Sequence, residues 1–282
     1  MRRSLLALCT LLITSPPALT AGVPTPACMS DRATGDNAPQ FGHFDVIELR
    51  RYPVAPGQRR TFAKYYESWF PEAFEQLGSL IFGEFFERGS NNFTWIRGFH
   101  TPEARAIVDA EFYYGPVWRE HRDLINSLLP GVDDNVLELH ALNAQTEVPA
   151  LPAVNPIIEP KGAQGLLVAE IYAVKARDLQ AFSERALRAF SRDDVRGVRG
   201  AGVLVTLDGP NNFPLLPFRT DGPYLVALHI LRDESVLKDT FDPLLVRTEQ
   251  ELTATGMLRR APEILVLDPA KRSRLRWLPG CK

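Results

Sequence analysis

Apolar positions along this chain alternate between strand-like runs and stretches of helical spacing. Phe44 to Tyr52 reads as a strand, which Pro53 and Pro56-Gly57 end. Phe62, Tyr65, Tyr66, Trp69, Phe70, Phe74 and Leu77 follow at helical spacing, with Gly78 placed as a C-terminal cap. Pro71 predicts a kink or a break in that helix. Leu80 to Glu87 and Phe93 to Phe99 read as a hairpin about Asn91-Asn92. Thr101-Pro102-Glu103 then starts a helix, with a hydroxyl cap, a proline at the first helical position and an acid in the first turn. A further helical stretch runs from Pro116 to Leu129, and Val136 to His140 closes the unit as a fourth strand. The order is β-α-β-β-α-β, the ferredoxin-like pattern.

After a Pro-rich, Ala-rich segment the same order restarts. Leu166 to Val174, Gly202 to Asp208, Tyr224 to Leu231 and Glu263 to Leu267 read as strands. Leu179, Phe182, Ala186, Leu187 and Phe190 share one helical face, and Phe241, Leu244, Leu245, Thr248 and Leu252 another. Each half carries Gly-x-Asn-Asn-Phe between its second and third strands, at Gly89 to Phe93 and Gly209 to Phe213. The repeat marks an internal duplication. Its Gly and Asn residues suit tight turns that use left-handed backbone, so the pentapeptide reads as scaffold. A single sheet of this kind leaves one face bare, and two in one chain can cover each other. The predicted fold class is α+β, two tandem ferredoxin-like repeats closing a barrel. The alternative is that each half pairs with a second copy in a homo-oligomer.

The composition, 282 residues with 45% hydrophobic and 23% charged, is that of a globular chain. A formal net charge of -2 gives no basic surface of the kind nucleic acid requires. Arg2-Arg3, the apolar run Leu5 to Ile13 and the small residues ending at Ala21 predict a secretory signal peptide over 1–21, hence a periplasmic or secreted protein. That run is too short to span a bilayer, so no integral membrane span is expected. The remaining segments are a linker over 22–43, a first domain over 44–142, a Pro-rich linker over 143–165, a second domain over 166–269 and a tail over 270–282. Cys28 and Cys281 would be left after cleavage, either as free thiols or as a disulfide joining the two tails.

Glu48-Leu49-Arg50-Arg51-Tyr52, Trp95 to Phe99, Phe112 to Trp118 and His121-Arg122 together resemble the NIPSNAP family. The second half, through Asn211 to Pro214, Leu215 to Arg219 and Pro262-Glu263, resembles the weaker NIPSNAP-like domain that often follows. The resemblance runs from Phe44 to Pro269 and implies a dimeric α/β-barrel fold. It implies no catalytic residue set. The wider superfamily includes haem-binding proteins and cofactor-independent monooxygenases.

Strand alternation supplies a candidate site. If Ile47 and Leu49 lie under the helices, then Glu48, Arg50 and Tyr52 point into the barrel. The same argument turns Glu138 and His140 inward, as it does Glu170 and Tyr172, and His229. In the hairpin Trp95 and Arg97 share a face, with Glu84 placed opposite them. Such a lining is either an ion-pair network, with pairs such as Glu48 and Arg97, or a ligand pocket. Phe112, Tyr113, Tyr114 and Trp118 either line a substrate mouth or, as is commoner for such aromatics, pack in the core and a dimer contact. His100, His121 and His140 invite a haem or metal reading, yet no paired-His spacing supports one. No cofactor is expected, and haem rests on superfamily analogy alone. Two function classes stand at this point. One is an exported protein that binds a small molecule or a protein partner. The other is a cofactor-independent oxygenase or isomerase acting on a hydrophobic or aromatic compound inside the barrel.

Overall fold

The computed structural model describes residues 39–131, 135–142, 152–157, 159–192 and 195–278. The signal-peptide segment, Cys28 and Cys281 lie outside the described residues. The first repeat comprises β1 (Val46–Pro53), α1 (Arg59–Leu77), β2 (Ser79–Glu87), β3 (Asn92–Phe99), α2 (Pro102–Tyr113), α3 (Pro116–Ser127) and β4 (Val136–Ala141). The second comprises β5 (Leu166–Ala173), α4 (Leu179–Phe190), β6 (Val198–Thr206), β7 (Tyr224–Leu231), α5 (Asp242–Thr253) and β8 (Glu263–Pro269). A short turn of helix, Glu234–Val236, and a π-turn, Leu237–Phe241, lead into α5.

Within each repeat the strand order is that of a ferredoxin-like sheet, and the two sheets join edge to edge. The closed order is β1-β3-β2-β8-β5-β7-β6-β4, with β4 returning to β1. The two seams are β2 with β8 and β4 with β6, both antiparallel. The barrel therefore closes within one chain. Each repeat carries a bulge at the corresponding place in its second strand, between Ile81 and Gly83 and between Gly200 and Gly202. An extra residue there bends the strand and increases its twist, as barrel closure requires.

The barrel interior is apolar. Ile47 and Leu49 of β1, Phe85 of β2, Ile96 of β3, Leu137 and Leu139 of β4 pack with Ala169 and Ile171 of β5, Leu204 of β6, Val226 and Leu228 of β7 and Leu265 of β8. Phe41, Phe44 and Phe82 close one end together with Leu275, Trp277 and Leu278. The segments on either side of the duplicated unit thus supply core residues, although their composition reads as linker and tail. At the other end Arg51 pairs with Glu87 at 2.9 Å and with Glu263 at 2.7 Å, tying β1 and β2 to β8 of the second repeat.

The helices cover the outside of the barrel. Helix α1 runs through Pro71 undivided, with Phe70, Pro71 and Phe74 all buried. It ends at Gly78, whose φ of 104° is the left-handed conformation a C-terminal cap uses. Thr101 caps α2 by accepting from the Ala104 amide. Among the described residues no helix is long and apolar enough to cross a membrane.

Candidate functional site

The polar strand residues lie on the face opposite to the one their alternation suggested. Glu48, Arg50, Tyr52, Glu84, Trp95, Arg97 and Glu138 share the sheet face beneath α1 and α2, and the Ile47 and Leu49 face is the barrel interior. The parity was legible and its direction was not. A closed eight-stranded barrel has room only for close-packed side chains, so the continuous aliphatic face turns inward. Helix α2 can answer charge with charge on the outer face.

Helix α2 does so through Arg105 and Asp109, one turn apart and both buried. Glu48 Oε2 accepts from Arg97 Nε at 2.6 Å and from Arg50 Nη1 at 2.8 Å, while Glu48 Oε1 accepts from Arg105 Nε at 2.7 Å. Arg97 also pairs with Asp109 at 3.0 Å, and Arg105 with Glu138 Oε1 at 2.8 Å. Burial alone would raise the Glu48 carboxyl, but Arg97, Arg50 and Arg105 together hold it well below the usual carboxylate range. Burial pushes Glu138 up to about 7 despite Arg105. Glu84 stands opposite Trp95 in the ladder, and burial, with Glu67 adding to it, pushes its carboxyl up to about 8. Arg105 and Asp109 escaped a strand-by-strand reading. Their signal was two opposite charges on the helical face that carries Val108 and Phe112.

Above this network lies a cavity of about 590 Å³. Tyr52 and Trp95 form the sheet side, Phe62, Tyr66, Phe70 and Phe74 come from α1, and Phe112, Tyr113, Tyr114 and Trp118 come from α2, α3 and their junction. Arg122, Asp123 and Asn126 add polar groups, and Leu215 and Leu216 are brought from the second repeat. Tyr52 and Trp95 also belong to the network below. The Arg50 guanidinium lies 5.2 Å from the Tyr52 ring centroid and 5.9 Å from that of Trp95, and Arg50 Nη2 donates to the Tyr52 hydroxyl. Two buried polar atoms of residues in the cavity wall, Tyr66 Oη and Trp95 Nε1, have no hydrogen-bond partner among the described residues. Burial, with Glu84 nearby, raises the Tyr66 hydroxyl well above its ordinary value, so it stays protonated. Burial and the neighbouring Tyr52 raise Tyr113 likewise.

The second repeat places its candidates in a separate cluster. The Tyr172 hydroxyl donates to Glu170 Oε2, and His229 Nε2 lies 3.1 Å from Glu170 Oε1. Phe190 and Phe241 pack about the His229 ring, with centroids 5.8 and 5.0 Å away. His140 is half-buried on β4 with Nδ1 3.1 Å from the Ala141 carbonyl, outside the cavity. His100 stacks on Phe44, and His121 stacks on Trp69 while its Nδ1 meets the Tyr65 hydroxyl at 2.6 Å. No described histidine lines the cavity, and no cluster of three His, Cys, Asp or Glu suited to a metal occurs among the described residues. A haem in this cavity would have no histidine as its axial ligand.

No known family profile matches the sequence, and no curated protein matches it either. Solved structures do. An anthrone oxidase-like protein superposes with a TM-score of 0.56 at 9% identity, over 86% of this chain and 99% of its own. A candidate monooxygenase from Fusobacterium nucleatum gives 0.52 at 12% identity, over 85% and 98%. A NIPSNAP domain protein from Burkholderia xenovorans covers 33% of this chain and 88% of its own at 17% identity, with a TM-score of 0.29. At these identities the likeness is one of fold. The chain has a dimeric-type α/β-barrel fold of ferredoxin-like repeats.

Proposed function

We propose that the cavity beneath α1 to α3 binds a planar hydrophobic molecule that presents a hydrogen-bond acceptor to Trp95 and Tyr66. One observation carries this reading: two buried donors without partners among the described residues belong to side chains in the wall of a space lined by aromatic rings. Leaving a buried donor unpaired costs about 1–3 kcal/mol, and a ligand oxygen within reach of both would remove that cost. Indole N–H can only donate, and the Tyr66 hydroxyl keeps its proton, so the complement is a carbonyl or phenolic oxygen. The volume falls within the roughly 300–1,000 Å³ of small-molecule sites.

The test compares fluorenone with fluorene, which share a skeleton and differ in the carbonyl, by tryptophan fluorescence titration. Fluorenone should bind more tightly, and Trp95→Phe together with Tyr66→Phe should abolish the difference. Equal affinities, or no binding of either compound, would sink the reading.

A second reading is oxidation of such a molecule by dioxygen without a cofactor, and the likeness to an anthrone oxidase-like fold favours it. In that reaction a CH2 group flanked by aromatic rings loses two hydrogens and gains one oxygen atom, and the other oxygen atom leaves as water. Trp95 and Tyr66 would hold the enolate oxygen formed when the first proton departs. An oxygen electrode decides: no uptake above buffer with anthrone as substrate removes the reading.

NIPSNAP membership is part of this proposal and rests on Glu48 to Tyr52 and Phe112 to Trp118. Export rests on Arg2-Arg3, the apolar run Leu5 to Ile13 and Ala21. N-terminal sequencing of the mature protein tests it, with cleavage after Ala21 expected.

A further inference from the structure

The two copies of Gly-x-Asn-Asn-Phe have diverged in what they hold. In the first repeat the motif sits in a short hairpin, where Gly89 has a φ of 73° and Asn92 Nδ2 donates locally to Glu87 at 3.2 Å. No asparagine takes the left-handed backbone conformation in either copy. In the second repeat the motif belongs to the long β6–β7 connection over 207–223, which crosses the β4–β6 seam onto the first repeat.

There its side chains reach the helix that bears the buried network. Arg105 Nη1 donates to Asn212 Oδ1 at 2.8 Å and to Asn211 Oδ1 at 3.2 Å, and Asn212 Nδ2 donates to the Pro102 carbonyl at 2.6 Å. Backbone bonds from Leu207 to Glu138 and from Arg219 to Val136 pin the two ends of the connection to β4. Between these points Phe213 packs near Tyr113 and Tyr114, with centroids 6.1 and 6.3 Å away. Leu216 is buried and Leu215 is 56% exposed, and both line the cavity. The second repeat thus supplies one wall of a cavity whose other walls belong to the first.

We propose that Leu215 and Leu216 of this connection determine which ligands the first repeat accepts, and that the Asn212–Arg105 contact sets how fast a ligand leaves. The proposal rests on the cavity being a ligand site. Leucines at the rim limit ligand length sterically. Asn212 holds them against α2 through side-chain bonds that a small opening can break and remake, because the pinned ends need not move. Fixing Asn212 to a buried charged arginine makes the closed position the stable one.

The experiment uses the full chain with two carbonyl probes, the two-ring 1-indanone and the three-ring fluorenone, followed by stopped-flow tryptophan fluorescence. Leu216→Ala should shift relative affinity toward fluorenone by about 10-fold or more, since a single methylene in an apolar pocket is already worth that much. Asn212→Ala should speed fluorenone release by about 10-fold, as expected for loss of a hydrogen bond to a charged group. Leu215→Ala alters an exposed residue and tests the rim without burdening folding; it should move the ratio in the same direction. Unchanged ratios and release rates in all three variants, with fluorenone still bound and still dependent on Trp95, would overturn this proposal alone. If the unmodified chain binds neither probe, the cavity reading fails and this proposal with it.

Discussion

Arg97 donates from Nε to Glu48 Oε2 at 2.6 Å, and both side chains are sealed between the first repeat's sheet and its helices. Arg50 and Arg105 complete the set, so one carboxylate answers three guanidiniums. Removing that carboxylate would leave buried cations without their main partner. Glu48→Gln should therefore cost roughly 3–5 kcal/mol, the cost of breaking a buried pair on one side. Urea unfolding measures it, and a loss below about 1 kcal/mol would contradict the network's role.

Glu84 predicts a pH dependence with a definite sign. Its carboxyl keeps a proton up to about 8 in the folded protein, against an ordinary value of 4.5. Between those values the native state binds more protons than the unfolded chain, so stability falls as pH rises through that window. The contribution is fully present below 4.5 and is lost by the time pH passes about 8. Glu84→Gln should flatten that part of the profile by on the order of 3–5 kcal/mol. Thermal melts from pH 4.5 to 9 would show it, and parallel profiles for the two proteins would refute it.

Tyr66→Phe should move stability and binding in opposite directions. Deleting a hydroxyl that has no partner among the described residues should stabilise the empty protein by about 0.5–1 kcal/mol. The same change should weaken fluorenone binding by about 5–10-fold, since one donor to the ligand is gone. A variant that is both less stable and equally able to bind would show that the hydroxyl is structural.

The barrel interior should behave as an ordinary close-packed core. Leu139, fully buried in β4 near the seam with β6, packs among residues of both repeats. Leu139→Ala should cost about 2–5 kcal/mol. Both repeats should unfold together, as read by proteolysis across the junction near Leu166. Release of a stable second repeat would show that the halves do not share one core.

Much of the fold could be read from residue pattern. The duplicated β-α-β-β-α-β order, the hairpin about Asn91-Asn92 and the cap at Gly78 follow from local period and turn chemistry, which act within a few residues. The grouping of Glu48, Arg97 and Glu138 on one face followed from the two-residue period of strands, as did the pairing of Glu48 with Arg97. Which side of the sheet that face meets did not follow. Alternation is symmetric, and only barrel closure decides which face is enclosed and which receives helices.

The same distinction governs the candidate site. Phe62, Tyr66, Phe70 and Phe74 were legible as one helical face, and Phe112 to Trp118 as an aromatic cluster, but nothing in their spacing shows that the helices leave a space between them. Leu215, Leu216 and Asn212 lie about a hundred residues from Arg105 and Tyr113, and sequence separation carries no information about that meeting. The sequence by itself determined the elements, their duplication and which side chains share a face, because these depend on backbone periodicity and local sterics. The tertiary structure decided which face is interior, where a cavity remains and which repeat walls it, because closure and helix docking are settled by packing across the whole barrel.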